Sequence, residues 1–256
     1  MDDLKMMIEL DNICFSYEKG KPVLNNLNFS LPAGEKLGLI GYNGSGKTTL
    51  MHIIMGLLKP SSGTMRVLGK RVEIQKDFLE VRRTIGFLFQ NADDQLFCPT
   101  VLEDVAFGPL NLGKSPKEAR MMAMETLERL NLRGFEDRII HKLSGGEKKL
   151  VSLATVLVMQ PKALLLDEPT TGLDEDARAR IESLLNHLDI SYVIVSHEYD
   201  FLAETTRKIY SIKAGQIAFD GDSSVLHSHY HKHRAGRHPH QHQTVVKGSA
   251  PLTKSA

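Results

Sequence analysis

Residues 41–48 read GYNGSGKT and stand between two apolar segments, residues 36–40 and residues 48–58. The first segment is predicted to be a buried strand and the second a buried helix. A glycine-rich loop in that context turns its backbone N–H groups around a phosphate, and the helix N-terminus adds positive potential. Lys47 is expected to reach the β- and γ-phosphates of a nucleotide, and the Thr48 hydroxyl is expected to bind Mg²⁺. This stretch predicts an α/β nucleotide-binding fold.

Another predicted strand ends in two acidic residues. Residues 163–166 are apolar, and Asp167 and Glu168 follow them directly. A carboxylate at that position can hold Mg²⁺, directly or through water, and its neighbour can polarise an attacking water. An acidic strand end alone is also common in an ordinary turn. Together with the glycine-rich loop it predicts a site that hydrolyses a nucleotide.

The apolar and polar periodicity in the rest of the sequence predicts a core with two additional subdomains. Residues 7–17 and 27–31 alternate between apolar and polar side chains, which indicates antiparallel strands with one wet face. Residues 91–159 are mainly helical in pattern, and residues 209–219 indicate a hairpin. Strand and helix alternate on both sides of the helical region. The prediction is an α/β mixed sheet core with an N-terminal antiparallel β subdomain and an inserted helical subdomain at about residues 91–159.

Charge and composition exclude several classes of protein. The chain has 256 residues, 41% of them hydrophobic, and a formal net charge of +1, so no general binding to nucleic acid is expected. Cys14 and Cys98 indicate no disulfide framework, and the first residues show no signal peptide. The longest apolar run, residues 150–159, is too short to span a bilayer. At a membrane, such a protein would dock onto other subunits at the cytoplasmic face.

Residues 143–147 read LSGGE. Ser144 and Glu147 have the spacing of a helix capping box. The same geometry exposes the Ser144 hydroxyl and the N–H groups of Gly145 and Gly146 at a helix N-terminus, which is a natural anion site. With this segment the sequence resembles the ABC ATPase family, whose signature motif reads this way.

Four further motifs of that family appear along the chain in the family's order. Gln90 ends a strand that is predicted over residues 84–90, as the Q-loop glutamine does, and Asp174 ends a match to the D-loop. His197 follows residues 193–196 as the family's switch histidine follows its strand, and Tyr17 matches the aromatic residue that stacks on adenine. The resemblance implies a P-loop NTPase fold of the RecA-like type. The resemblance covers about residues 5–222. We expect residues 1–222 to form one ATPase domain and residues 223–256 to form a tail.

The resemblance also implies a mechanism that two chains share. Each of two ATP molecules would lie between the phosphate loop of one chain and Ser144, Gly145 and Gly146 of the other. Glu168 would orient or deprotonate water, His197 would contact the γ-phosphate, and Gln90 would sense it. The expected nucleotide-binding residues are Tyr17, Asn43, Gly44, Ser45, Gly46, Lys47, Thr48, Thr49, Ser144, Gly145, Gly146 and Asp174. The expected Mg²⁺ ligands are Thr48, Gln90 and Asp167.

A narrower resemblance lies in residues 87–97, which read FLFQNADDQLF. This stretch is similar to the ATPases of energy-coupling-factor importers, which take up vitamins, cobalt and nickel. In that family it lies near the groove for the coupling helix of a transmembrane subunit, and a separate membrane subunit binds the substrate. Ala92 replaces the usual proline and Leu150 replaces the usual arginine. The expected assembly is a homodimer or a pair of paralogues with both membrane subunits.

The tail is rich in histidine and poor in apolar residues, so it is predicted to be disordered. Its candidate ligands for Ni²⁺ or Co²⁺ are His227, His229, His231, His233, His238, His240 and His242. A polar tail without any metal function is the simpler alternative.

Three other classes of protein remain to be weighed. A nickel-delivering P-loop GTPase would need an Asn-Lys-x-Asp motif, and the sequence has none. A soluble ABC ATPase of DNA repair or translation would carry long coiled-coil insertions or a second cassette. A metal-buffering protein without enzymatic activity would not need Lys47, Asp167 and Glu168. The sequence therefore favours an ATPase that drives import, with nickel or cobalt as the expected cargo and a vitamin as the alternative.

Overall fold

A computed structural model describes residues 5–223 of the protein as two sheets and seven α-helices. The strands are β1 (Met6–Phe15), β2 (Leu24–Pro32), β3 (Lys36–Ile40), β4 (Ser62–Val67), β5 (Lys70–Arg71), β6 (Ile85–Leu88), β7 (Ala163–Asp167), β8 (Ser191–Val195), β9 (Lys208–Lys213) and β10 (Gln216–Asp222). The helices are α1 (Lys47–Ile54), α2 (Gln75–Thr84), α3 (Val101–Asn111), α4 (Pro116–Arg129), α5 (Gly145–Leu157), α6 (Glu175–His187) and α7 (Tyr199–Thr205). Among these residues, no helix has both the length and the apolar character that crossing a membrane requires.

The two sheets differ in direction. Strands β2-β1-β4-β5 form an antiparallel sheet, and β10-β9-β3-β8-β7-β6 form a sheet that is parallel except for the antiparallel pair β10 and β9. Strand β7 is buried on both faces, as parallel sheets are. Its Leu164 and Leu166 side chains pack into one core, and Ala163 and Leu165 pack into the other. The predicted fold class, an α/β mixed sheet core with antiparallel and helical additions, is confirmed.

Each core belongs to a different layer. One core joins the antiparallel sheet and α1 to one face of the larger sheet, and the other joins α3 to α7 to the opposite face. Helix α4 shows how the helical layer is specified. Ser115 and Glu118 form a capping box ahead of it, and Ala119, Ala123 and Leu127 lie buried on one side.

Several predicted boundaries were wrong, each for a local reason. Helix α1 ends at Ile54 because Gly56 adopts φ +67 and the Leu57 amide turns back to the His52 carbonyl. Strand β6 ends at Leu88, so the following loop, not the strand, carries Gln90. Residues 59–63 read KPSSG, which predicts a turn, but residues 62 and 63 belong to β4 because β4 pairs with β1. Tertiary pairing there outweighs the local turn preference of serine and glycine.

Candidate nucleotide site

The ends of four parallel strands meet at one edge of the larger sheet. Leu39 of β3 and Asp167 of β7 both pair with Val195 of β8, and Leu88 of β6 pairs with Leu166. This register places the residues that follow each strand side by side at that edge of the sheet. They are Gly41, Gln90, Glu168 and His197. The carboxyl edge of an open α/β sheet is where ligands bind.

The glycine-rich loop has a backbone that side chains would obstruct. Gly46 caps α1 with φ +107, and a Cβ there would lie 2.6 Å from Leu24 Cδ2. Gly41 has φ +155, and a Cβ there would lie 2.7 Å from Ser45 Oγ. The Ser45 hydroxyl is buried and has no hydrogen-bond partner within residues 5–223. The loop thus needs glycine for its shape and leaves a polar atom available to a ligand.

The Lys47 ammonium lies inside this loop. It donates to the Gly41 and Tyr42 carbonyls over 2.8 Å and 3.1 Å, and the side chain is buried. Burial lowers the pKa of Lys47, while Glu168 and Asp167 oppose that shift. A lysine held by the loop and influenced by two carboxylates is a fixed positive charge that suits an anionic ligand.

Thr48 and Asp167 form the part of the site that fits a cation. Thr48 Oγ1 donates to Asp167 Oδ2 over 2.7 Å. The second carboxylate oxygen, Asp167 Oδ1, is buried and has no partner in the described part of the chain. Burial raises the pKa of Asp167, and the Thr48 hydrogen bond opposes the shift. A hydroxyl and a carboxylate are hard oxygen donors, so this pair fits Mg²⁺.

Glu168 is 5% exposed and sits in a strained backbone conformation with φ +47. Its Oε2 accepts a hydrogen bond from Thr171 Oγ1 over 3.1 Å. Its Oε1 lies 3.3 Å from Nε2 of the half-exposed His197, although the angle is not that of a hydrogen bond. Burial raises the pKa of Glu168 and His197 opposes the shift. A buried carboxylate of raised pKa on strained backbone is typical of a catalytic base.

The signature segment lies elsewhere on the surface. Ser144 Oγ accepts from the Glu147 amide and Glu147 Oε2 accepts from the Ser144 amide, so the predicted capping box is present. Ser144 and Gly145 are exposed, and no hydrogen bond joins them to the glycine-rich loop within residues 5–223. A Cβ on Gly145 would meet no atom within 4 Å. Packing within the chain therefore does not require this helical glycine, which is a poor helix former.

The other predicted site residues are distributed as follows. The Tyr17 hydroxyl and Thr49 Oγ1 are 3.1 Å apart, and the Tyr17 ring stays 63% exposed with its edge partner Phe15 behind it. Asp174 caps α6 through a hydrogen bond from the Ala177 amide. Asn43 and Gly44 lie exposed in the loop. The seven histidines of the tail lie outside the described residues.

Sequence reasoning missed two links next to the site. Glu198 Oε1 accepts from Thr170 Oγ1 over 2.7 Å and its Oε2 lies 3.3 Å from Arg178, which ties the residue after His197 to α6. Lys149 is buried beside the acidic pair. The only available signal for Lys149 was its spacing, four residues before the buried Leu153 of the same helix.

Known proteins match both the sequence and the fold. The family described as ABC transporter matches residues 24–171. The energy-coupling factor transporter ATP-binding protein EcfA of Methanothermobacter thermautotrophicus is 42% identical over 84% of this chain and 70% of its own length. The structure of cbiO1 from Clostridium perfringens, described as part of the ABC transporter complex cbiONQ, superposes with TM-score 0.79 and 33% identity over 88% of this chain and 92% of that one.

A third relative was solved with nucleotide products. The ATP-binding cassette MJ0796, in a dimeric post-hydrolysis state bound to ADP and Pi, superposes with TM-score 0.76 and 29% identity over 84% of this chain and 98% of that one. With the family match, these similarities confirm the resemblance found in the motifs. The chain belongs to the ABC transporter family of ATP-binding proteins and is an ATPase of the energy-coupling factor type.

Proposed function

We propose that this ATPase uses Mg²⁺ and ATP to energise import through an energy-coupling factor transporter at the cytoplasmic face of the membrane. The observation that carries the proposal is one sheet edge bearing a loop lysine, a buried cation-fitting carboxylate and a buried carboxylate of raised pKa, namely Lys47, Asp167 and Glu168. This combination supplies phosphate binding, a metal ligand and a base in one place.

Each residue has a separate task. Lys47, Ser45 and the amides of the loop bind the β- and γ-phosphates. Thr48, Asp167 and Gln90 hold Mg²⁺, which when bound neutralises charge on the phosphate oxygens. Glu168 accepts a proton from the attacking water or orients it, and its raised pKa makes it a stronger base than an exposed glutamate.

Two half-exposed or exposed residues complete the same half-site. The His197 imidazole, 3.3 Å from Glu168, reaches the γ-phosphate on the side of the attacking water. The Tyr17 ring presents an open face on which adenine stacks. Catalysis here is mostly positioning and stabilisation of charge.

The signature segment completes the site of a second copy. Ser144 and Gly145 are exposed and Gly146 is half-buried next to Ala177, and the space in front of Gly145 leaves room for a triphosphate and the facing loop. Asp174 lies at the start of α6 on the same interface. Because both half-sites of this chain are intact, a homodimer is favoured over a pair of paralogues. The dimeric state of MJ0796 supports this arrangement.

A membrane subunit has an apolar groove available to it. The groove has a volume of about 260 Å³ and is lined by the residues after α1 and by residues of α2 and α5. Phe87 and Phe89 also line it, and Phe89 directly precedes Gln90. A coupling helix seated there would push on the loop that carries Gln90. The description of cbiO1 as part of the cbiONQ complex supports such a membrane partner. No nucleic-acid partner is proposed.

The function is tested by replacing Lys47 with alanine. This removes the charged contact with the phosphates, so ATP affinity is expected to fall about tenfold to a hundredfold, the range of one to two charge-assisted hydrogen bonds. The measurement is a titration with a fluorescent ATP analogue. The matched control is Lys36→Ala, which removes a lysine from the opposite end of β3. Equal loss in both variants, or none in Lys47→Ala, would refute the site.

We propose a transition metal, nickel or cobalt, as the cargo, and a vitamin as the alternative. The histidines at residues 227–242 support a metal, because neutral imidazole is a ligand for both ions. Deleting residues 223–256 is expected to leave basal ATPase activity intact and to lower the number of bound Ni²⁺ ions by more than one. Calorimetric titration of both proteins with Ni²⁺ measures this, and binding should weaken as pH falls through about 6.5. Equal stoichiometry in both proteins would remove this support for a metal, and vitamins and metals would then be equally open as the cargo.

A further inference from the structure

Lys149 is a buried lysine for which the ATPase mechanism above has no use. It lies on α5 and is 3% exposed. Its ammonium donates to the Phe89 carbonyl over 3.1 Å and to the Gln90 carbonyl over 2.6 Å. Within the described residues it makes no ion pair at contact distance. Its bonded partners are therefore the two backbone carbonyls where the loop after β6 begins.

Gln95 closes the same loop from its other end. Its Nε2 donates to the Ser152 carbonyl and to Thr155 Oγ1, each over 2.8 Å, while its Oε1 accepts from the Phe89 amide over 3.1 Å. Lys148 adds an ion pair of 2.6 Å to Asp93. The Asp93 side chain is exposed, and ion pairs at the surface are weak. Three side chains thus tie residues 89–95 to α5, and we call this set of contacts the loop clamp.

The clamp fixes the backbone of Gln90 but not its side chain. The Gln90 carbonyl is held by Lys149, whereas the Gln90 amide group makes no hydrogen bond to another residue of the described chain. Helix α5 begins with Gly145 and is capped by Ser144. A helix transmits a displacement along its axis because its backbone hydrogen bonds keep it rigid. The same helix therefore carries the lysine that holds the Gln90 carbonyl and, at its start, the signature segment.

Stability does not account for a lysine at this position. A lysine that is buried without an ion pair carries a desolvation cost, which hydrogen bonds to two neutral carbonyls only partly offset. In some proteins a buried charge that does not stabilise the fold specifies its geometry. The geometry that Lys149 specifies is the position of the Phe89 and Gln90 carbonyls, to which it donates.

We propose that Lys149 and Gln95 are positioning residues that couple the two ATP sites of a dimer, by making residues 89–95 and α5 move as one body. The inference rests on the proposed function, because it requires the signature segment of one chain to face the ATP of the other. Gln90 then responds to the γ-phosphate bound by its own chain. The clamp passes that response to Ser144, which faces the partner's γ-phosphate. Coupling of this kind makes hydrolysis cooperative in ATP.

The test replaces Lys149 with methionine, which keeps the length of the side chain and removes its donors. ATP binding to the isolated subunit should be unchanged. The Hill coefficient for hydrolysis should fall toward the non-cooperative value, because a coupling that changes ATP affinity between the two sites by about fivefold or more is lost. Lys149→Arg, which still donates to carbonyls, should restore part of the cooperativity.

Lys36→Met is the matched control. Lys36 also donates to two carbonyls, those of Leu185 and Asn186 over 3.1 Å and 3.3 Å, and burial lowers its pKa. It lies at the start of β3, at the edge of the sheet away from the site. Replacing Lys36 should leave the Hill coefficient at its wild-type value.

Two outcomes would overturn the coupling. One is a wild-type Hill coefficient in Lys149→Met, and the other is the same loss in Lys36→Met. If Lys149→Met does not fold, Gln95→Leu removes the other end of the clamp and must show the same loss of cooperativity. A wild-type protein that binds ATP without hydrolysing it would contradict the proposed function itself, whereas cooperative hydrolysis in both the wild type and Lys149→Met would contradict the clamp alone.

Discussion

Replacing Glu168 with glutamine is expected to lower ATP turnover by about 10²- to 10⁴-fold, the range for loss of a general base, and to leave ATP binding intact. Glutamine has nearly the shape of glutamate but cannot accept the proton of the attacking water. The protein should therefore accumulate as an ATP-bound dimer. A phosphate-release assay measures turnover, and gel filtration with and without ATP measures the dimer.

The backbone conformation at residue 168 tolerates glutamine as well as glutamate, and a second buried carboxylate provides a control. Glu168 has φ +47, a conformation that glutamine and glutamate bear at similar cost, so the change is confined to charge and proton affinity. Asp104 is also a buried carboxylate of raised pKa, but it accepts hydrogen bonds from the Phe97 and Cys98 amides in the helical layer. Asp104→Asn is expected to cost stability and to keep turnover. Turnover of Glu168→Gln close to that of the wild type would remove Glu168 from its role.

The parts of the site that lie on contiguous sequence were predictable. The loop of residues 41–48 needs glycines for its own backbone, and the strand of residues 163–167 needs an acidic end, so both patterns are visible in the chain. The Ser115 and Ser144 capping boxes were predictable for the same reason, since each uses residues three apart. These features arise from interactions between residues that are close in the sequence, so a short stretch is enough to predict them.

The features that depend on distant partners were not predictable. Lys149 stands in a charged run that reads as a solvated helix face, and only the fold shows that it reaches the carbonyls of a loop about sixty residues away. Gln95 was visible in the motif of residues 87–97, but not its bonds to α5. Strand β4 begins earlier than its turn-forming residues indicate, because β1 pairs with it. Such contacts follow from topology and not from spacing.

Replacing Ser144 with arginine is expected to abolish the ATP-dependent dimer and steady-state hydrolysis while the isolated chain still binds ATP. The substitution puts bulk and positive charge into the space before Gly145, where the partner's loop and triphosphate must fit. The glycine-rich loop of the same chain has no hydrogen bond to this segment among residues 5–223, so its own ATP affinity should not change. Light scattering with ATP measures the dimer, and a fluorescent ATP analogue measures binding.

Ser115→Arg is the matched control, because Ser115 caps α4 with the same capping box that Ser144 uses for α5. Each substitution removes an N-cap hydrogen bond, so each should cost about 1 kcal/mol of stability. A thermal melt should therefore show similar destabilisation in both. Only Ser144→Arg should lose the dimer, since Ser115 is in the helical layer and outside the proposed interface. Loss of ATP binding by isolated Ser144→Arg, or loss of the dimer in both variants, would contradict a site shared between two chains, because the defect would then follow from the helix cap and not from the facing triphosphate.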